Sequence, residues 1–429
     1  MTPTENPEPG GPFARAALEH VRGLIERNHR RALEWGGADV APVRCVGIVG
    51  AGIMGSAIAA AHARRLHQVV LVDTNQAALE RARGQILAEL AAELPGREAE
   101  RLVAHLVSRG SSEEPLAGCD LVLESIVEDL GAKRRLYARL EPRLSPRAIL
   151  ASNTSAIPIG RLAAGLADPG RFLGLHFCHP VRGRPLVEVV RGPGTSDRTV
   201  ARGVTHAHRL GKMPMVVEDG PGFVINRLLL TYLGAALAMV SEGVPPGHVE
   251  QAMIEFGMGV GPLEMLDEIG LDTALQAGLV LSEIFGERLA GTHLLIGLIK
   301  AHQMGRKSGA GFYLYPGRSP NPGVARLVAK HRPLAPGPGG TGVSPVLTPD
   351  TGETPVPPIR SEGEPIALRL LLPMVWEARR ILAEGKVGDP RDIDAGVIFG
   401  LGFPAARGGL LWWADTLGKG ILGQSALQS

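Results

Sequence analysis

Short apolar runs alternate with amphipathic stretches along the first half of the chain. Residues 13–35 place Phe13, Ala17, Val21, Leu24, Ile25 and Leu33 close to a helical repeat, which predicts an amphipathic helix. Residues 43–49 form a β-like run that leads into glycine, and similar runs follow at 69–72, 121–123, 148–151 and 172–176. Helical patterns at 56–63, 76–93 and 132–140 lie between them. Strands alternating with helices predict a parallel sheet with crossover helices. From about residue 221 the pattern turns helical, with segments at 223–242, 246–256 and 271–285.

Residues 316–365 break this pattern. They include HRPLAPGPGGTGVSPVLTPDTGETPVPP, which is dense in Pro, Gly and Thr. Such a segment cannot bury enough apolar surface to offset its ordering entropy, so a disordered linker is expected. Helical character resumes at Ala367. An internal repeat spans the linker. Arg227-Leu-Leu-Leu, Glu242-Gly243 and Gly257-Met-Gly recur as Arg369-Leu-Leu-Leu, Glu384-Gly385 and Gly400-Leu-Gly, with one extra residue late in the second copy. Two copies are too few for a solenoid. They predict two homologous all-α domains that pack on each other as an intramolecular pseudo-dimer. The expected division is a tail and helix at 1–42, a Rossmann-type α/β domain at 43–219, all-α domains at 220–316 and 365–429, and the linker at 317–364 between them.

Composition narrows the function classes. The chain has 429 residues, 45% hydrophobic and 21% charged, with a formal net charge of +2. That balance offers no field for nucleic acid or a membrane surface. Three cysteines, Cys45, Cys119 and Cys178, are too few for a disulfide framework and point to a reducing compartment. Residues 1–12 are rich in Pro, Gly and Glu, with no charged start followed by an apolar run, so no secretory signal is read there. The apolar run 228–240 is too short to span a bilayer. A soluble, cytoplasmic protein is expected.

The first apolar run leads into Gly50-Ala51-Gly52-Ile53-Met54-Gly55, directly before the helical pattern at 56–63. In a G-x-G-x-x-G turn, the first glycine permits a tight turn, the second lets backbone approach a pyrophosphate, and the third lets helix and strand pack closely. Unpaired N–H groups at the helix start then favour phosphate. The second run, 67–72, ends at Asp73, an acid placed to accept adenosine ribose hydroxyls and to repel a 2′-phosphate. NAD is the expected cofactor.

Eight motifs, in order, resemble the L-3-hydroxyacyl-CoA dehydrogenase family. They are VGIVGAGIMGSAIA (46–59), LVLESIVEDLGAK (121–133), ILASNTSAIPI (149–159), RFLGLHFCHPV (171–181), PLVEVVRG (185–192), DGPGFVINRLL (219–229), GPLEMLDEIGLD (261–272) and GRKSGAGFY (305–313). The duplicated helical part resembles the dehydrogenase half of the fused fatty-acid oxidation multienzyme alpha subunit, without the hydratase half. The resemblance implies oxidation of (3S)-hydroxyacyl-CoA to 3-oxoacyl-CoA, in β-oxidation or on 3-hydroxybutyryl-CoA-type units. It makes His176 the catalytic base and Glu188 its acidic partner, with Ser155 and Asn226 as catalytic and substrate-binding groups. It adds Glu128, Lys133 and Asn153 to the NAD pocket formed by Gly50, Gly52, Ile53, Met54, Gly55 and Asp73.

The chemistry is coherent. A histidine suits removal of a hydroxyl proton near neutral pH, and a carboxylate on its other nitrogen fixes the tautomer. Where the family has HFFNP, this chain has HFCHP, which puts His179 beside the thioester and leaves acyl-chain preference open. Cys178 stands between two histidines, but alternation along a strand separates them, and no metal is expected. Leu368 replaces Asn226 in the second helical copy, which marks that copy as structural. Arg81 and Arg83 are candidates for the CoA phosphates. Two rival readings remain: a dehydrogenase of a free hydroxy acid or sugar acid, and a non-catalytic NAD-binding subunit of a β-oxidation complex. Either a monomer with an internal pseudo-dimer or a homodimer is compatible with the repeat, as is a separate hydratase or thiolase partner.

Overall fold

A computed structural model describes residues 10–37, 40–285, 292–331 and 365–417. Two compact units emerge. One comprises Pro9–Leu229 and Glu377–Leu411, and the other Met1–Glu8, Leu230–Trp376 and Trp412–Ser429. The expected 365–429 segment is therefore shared between the two units.

The first unit is built on eight strands: β1 (Cys45–Val49), β2 (Gln68–Val72), β3 (Val107–Gly110), β4 (Leu121–Glu124), β5 (Ile149–Ser152), β6 (Phe172–Phe177), β7 (Leu186–Arg191) and β8 (Met213–Glu218). Their order is β3-β2-β1-β4-β5-β6-β7-β8. All neighbours are parallel except β6 and β7, which are antiparallel. Residues of β4, β5 and β6 are buried throughout, as expected when helices cover both faces of a parallel sheet. The first six strands follow the order of a dinucleotide-binding doubly wound sheet.

Sequence patterning misses β3 and β8. β3 is a four-residue edge strand, VSRG, and β8 carries Pro214, which an edge strand tolerates because one side of its ladder is unpaired. The helix Gly96–Leu106 is also missed. The helix Pro12–Trp35 forms as expected, and Arg27 reaches Asp392 at 2.5 Å within the same unit.

In the second unit, the helix Pro246–Phe256 ends at Gly257, whose φ of +112° gives a left-handed cap. Asp267, 1% exposed, accepts the N–H groups of Phe312 and Tyr313 at 2.9 Å and the Tyr315 hydroxyl at 3.0 Å. This clamps the glycine-rich 305–313 segment as a closing loop. Part of the expected linker is ordered: Ser319–Pro320 pairs with Tyr313–Leu314, and Pro322–His331 is a helix. This helix packs on the helix Thr292–Lys300, with Leu327 against Gly297 and Val324 2% exposed. The rest of that linker, 332–364, lies outside the described residues, as do residues 1–9 of the expected disordered tail.

Candidate active site

The chain passes from β1 into Gly50 at φ +110°. A side chain there would collide with the carbonyl of Ser125, and one on Gly55 with the carbonyl of Gly50. A Cβ on Gly52, by contrast, would meet nothing within 4 Å. Packing does not demand glycine at that position, whereas close approach of a phosphate does. The helix Ile53–Arg64 starts immediately after it, so Ile53, Met54 and Gly55 lie in the first turn, where backbone N–H groups lack helical partners. Asp73 accepts the N–H of Ala51 at 2.7 Å and that of Asn75 at 2.8 Å, which fixes the acid against the glycine turn. These residues fit a dinucleotide.

Beyond the carboxyl ends of β4 and β5 lies a buried polar network. Glu124 is fully buried and accepts from Lys133 at 2.6 Å, Tyr137 at 2.5 Å, Ser152 at 2.7 Å and the N–H of Ile126 at 2.7 Å. Lys133, 1% exposed, also meets Glu128 at 3.1 Å. Glu128 in turn accepts from the Thr154 hydroxyl at 2.5 Å and from the N–H groups of Ser155 and Ala156 at 3.0 and 3.1 Å. Burial alone would raise its carboxyl, but Lys133 and these donors hold it below the usual range. Lys133 thus reaches the site through Glu128. Sequence reasoning missed Glu124, although an acid closing the apolar run LVLE was a visible signal.

His176 and Glu188 face each other across the antiparallel pair β6/β7, with Nδ1 to Oε2 at 2.6 Å. They are 5% and 0% exposed. The other oxygen of Glu188 accepts the N–H groups of Val224 and Ile225 at 2.9 and 3.2 Å, at the start of the helix Ile225–Ser241. The carboxylate therefore sits where the helix dipole favours an anion. Next along that helix, Asn226 donates to the Ser155 carbonyl at 2.6 Å. Asn153 accepts the N–H of Phe177 at 2.9 Å, tying β5 to the residue after His176.

All of these residues belong to one unit. Two tethers converge on its helix start, one from His176 through Glu188 and one from Glu128 through Ser155. The loop after β6 carries the exposed His179 and is held by Lys212, which donates to the carbonyls of Val181 and Arg184. Burial brings that lysine down to about 8. Sequence reasoning missed it too. Arg83 lines a hollow of about 290 Å³ with Gln76, Leu79, Glu80 and Arg109, whereas Arg81 does not. Among the described residues no group of three or more His, Cys, Asp or Glu is placed to hold a metal.

Comparison with known proteins now decides the family. Residues 45–220 match the 3-hydroxyacyl-CoA dehydrogenase NAD binding domain, and residues 222–315 match the C-terminal domain of the same enzyme. The chain belongs to the 3-hydroxyacyl-CoA dehydrogenase family. FadB2 of M. tuberculosis is 36% identical, with a TM-score of 0.62, over 64% of this chain and 100% of that one. The (S)-3-hydroxybutyryl-CoA dehydrogenase PaaH1 of Ralstonia eutropha is 34% identical, with a TM-score of 0.59, over 64% of this chain and 99% of that one. The fatty acid oxidation complex subunit alpha of Shewanella loihica is 33% identical over 410 residues, 93% of this chain. This chain spans 55% of that relative's length. Membership of the family makes residues 45–220 an NAD-binding domain with a Rossmann-like sheet, followed in sequence by a helical C-terminal domain.

Proposed function

We propose that this chain oxidises the 3-hydroxyl of a (3S)-3-hydroxyacyl-CoA to the 3-oxoacyl-CoA with NAD. The observation that carries this reading is the buried His176–Glu188 pair beyond an NAD-binding sheet. NAD, when bound, supplies the two-electron acceptor for the hydrogen leaving carbon. His176 donates its Nδ1 proton to Glu188, which leaves the Nε2 lone pair to take the hydroxyl proton. Glu188 stabilises the imidazolium that results. Ser155 and Asn226, fixed to each other and to Glu128, hold the substrate oxygen. Gly50, Gly52, Ile53, Met54 and Gly55 take the pyrophosphate and Asp73 the ribose, while Asn153 and Glu128 shape the nicotinamide end and Lys133 positions Glu128. His179 meets the thioester, and Arg83 with Arg109 offers charge to CoA phosphate.

The relative named (S)-3-hydroxybutyryl-CoA dehydrogenase supports a short acyl chain, and the one named a fatty acid oxidation complex subunit supports association with a partner carrying a further step. Among the described residues no helix is long and apolar enough to cross a membrane, which is compatible with a cytoplasmic site.

The two helical copies form an internal pseudo-dimer. Within the first unit Arg227 binds Glu384 at 2.5 Å, and within the second Arg369 binds Glu242 at 2.5 Å. Arg227 and Arg369 are repeat equivalents, as are Glu242 and Glu384. Reciprocal contacts of this kind are the mark of an isologous interface. A monomer is expected by light scattering, and a stable dimer would overturn the internal pairing.

The activity is tested by following NADH absorbance with acetoacetyl-CoA, beside free acetoacetate and a His176→Ala variant. Oxidation of NADH with the thioester alone, lost in the variant, is expected. Turnover of the free acid would favour a hydroxy-acid dehydrogenase instead. Binding of NADH without turnover would leave a scaffold subunit.

A further inference from the structure

At the end of the sheet opposite the glycine turn, two thiols face each other. Cys45 opens β1, and Cys119 lies just before β4. Their Sγ atoms are 3.3 Å apart. The backbone around them is fixed, because Asp120 accepts the N–H groups of Arg44 and Cys45 at 2.8 and 3.0 Å and its own N–H donates to the Cys45 carbonyl at 2.9 Å. Cys119 follows the 3-10 turn Glu114–Gly118, before the pleat of β4 begins, so strand alternation does not turn its side chain away from Cys45. Gly47 leaves room for this geometry, since a Cβ there would press on the Cys119 sulfur and collide with Leu116. Cys45 is partly exposed, while Cys119 is 2% exposed.

We propose that Cys45 and Cys119 are an oxidisable dithiol that closes to an intramolecular disulfide on reaction with a small-molecule disulfide oxidant. The roles of the two sulfurs differ. The hydrogen bond from Cys119 lowers the Cys45 thiol, while the same contact and burial raise Cys119. Cys45 is thus the attacking thiolate and Cys119 the resolving thiol. Cys45 attacks one sulfur of glutathione disulfide, the oxidant's S–S bond breaks, and one glutathione leaves with the proton Cys45 gave up. Cys119 then loses its proton and attacks the Cys45 sulfur, and the second glutathione leaves as a thiol. Two protein thiols are oxidised by two electrons and one disulfide is reduced to two thiols. Burial raises Cys178, which stays out of the reaction.

The dithiol lies about 16 Å along β1 from Gly50, judged from five residues at about 3.3 Å each. Closure therefore leaves turnover intact, whereas oxidation of Cys178, two residues from His176, would not. The test treats the full chain with glutathione disulfide, quenches it in acid, counts thiols in denaturant and maps peptides without reduction. Free thiols should fall from three to one. The mass should drop by two hydrogen atoms with no glutathione retained, a Cys45–Cys119 peptide should appear, and dithiothreitol should reverse all three. In Cys119→Ala the glutathione adduct on Cys45 should persist. Should that variant not fold, Cys45→Ser should leave both remaining thiols unreacted. Three surviving thiols, an unresolved adduct on wild-type Cys45, or first reaction at Cys178 would overturn the proposal.

Discussion

Replacing Glu188 by Gln tests the tautomer argument at a single atom. Among the described residues, the hydrogen-bond partners of this side chain are all donors: His176 Nδ1 at 2.6 Å and the N–H groups of Val224 and Ile225 at 2.9 and 3.2 Å. A glutamine has one acceptor oxygen, and it can serve either the two backbone donors or the histidine. With two backbone groups on one side, the oxygen turns to Val224 and Ile225, and the amide NH2 faces Nδ1. His176 must then accept at Nδ1, which moves its proton to Nε2 and removes the base. Loss of the correct tautomer in a buried His–carboxylate pair costs on the order of 10³ to 10⁴ in turnover, or about 4–5.5 kcal/mol of barrier. The assay is initial-rate NADH oxidation with acetoacetyl-CoA, alongside circular dichroism and NADH affinity. Turnover should collapse while NADH binding and the fold persist. A folded variant losing less than about tenfold in kcat, or one changed only in KM, would refute the reasoning.

Three other outcomes follow from buried groups. Lys133→Met strands Glu124 and Glu128, and breaking a buried pair in this way costs roughly 3–5 kcal/mol; denaturant unfolding should show it together with a raised KM for NAD, and a loss under about 1 kcal/mol would contradict the pairing. Arg227, 2% exposed at its side chain, binds both Glu377 and Glu384, so Arg227→Ala should cost roughly 3 kcal/mol or more. Its repeat equivalent Arg369→Ala should cost at most about 1 kcal/mol, because Glu242 is 54% exposed; equal losses would count against that contrast. Stability should also fall with acid. His62 and His206 meet at 2.9 Å in the core, and burial brings His62 down to about 4 and His206 well below its ordinary value. A depressed folded value means that the unfolded chain binds the proton first, so stability is full above about 6.5 and drains as pH falls toward 4. Replacing both with Leu should flatten that slope, and an unchanged slope would exclude the pair as its source.

Much of the first unit was legible because its strands are buried on both faces and read as unbroken apolar runs, as in β1 and β5. The glycine turn was legible because glycine is forced by backbone contact at Gly50 and Gly55. Less visible were contacts made by turns and edges. Alternation with Val187 and Val189 would put Glu188 on an open face, yet β7 lies inside the sheet and all three are buried. The ion pair between Lys133 and Glu124 spans nine positions and depends on how the chain leaves β4 and enters the helix Leu130–Leu140. The linker boundary was drawn too early because the helix Pro322–His331 packs on the helix Thr292–Lys300, outside the segment, which local composition does not report.

The place of the His176–Glu188 pair follows from the one reversal in the sheet. A purely parallel sheet gathers carboxyl ends on one edge, and a crossover must separate each strand from the next. His176 is next to last in β6, at that edge, while Glu188 is third in β7. Because β7 returns antiparallel through a short loop, its beginning lies beside the end of β6, and His176 and Glu188 fall directly opposite. A parallel β7 would instead have set its carboxyl end at that edge, and residue 188 would have stood farther from it. The same reversal lets the helix Ile225–Ser241 present its first N–H groups to the acid. The His176–Glu188 pair is thus built where the parallel strands stop, and a register shift of one residue between β6 and β7 would break both the pair and the helix contact.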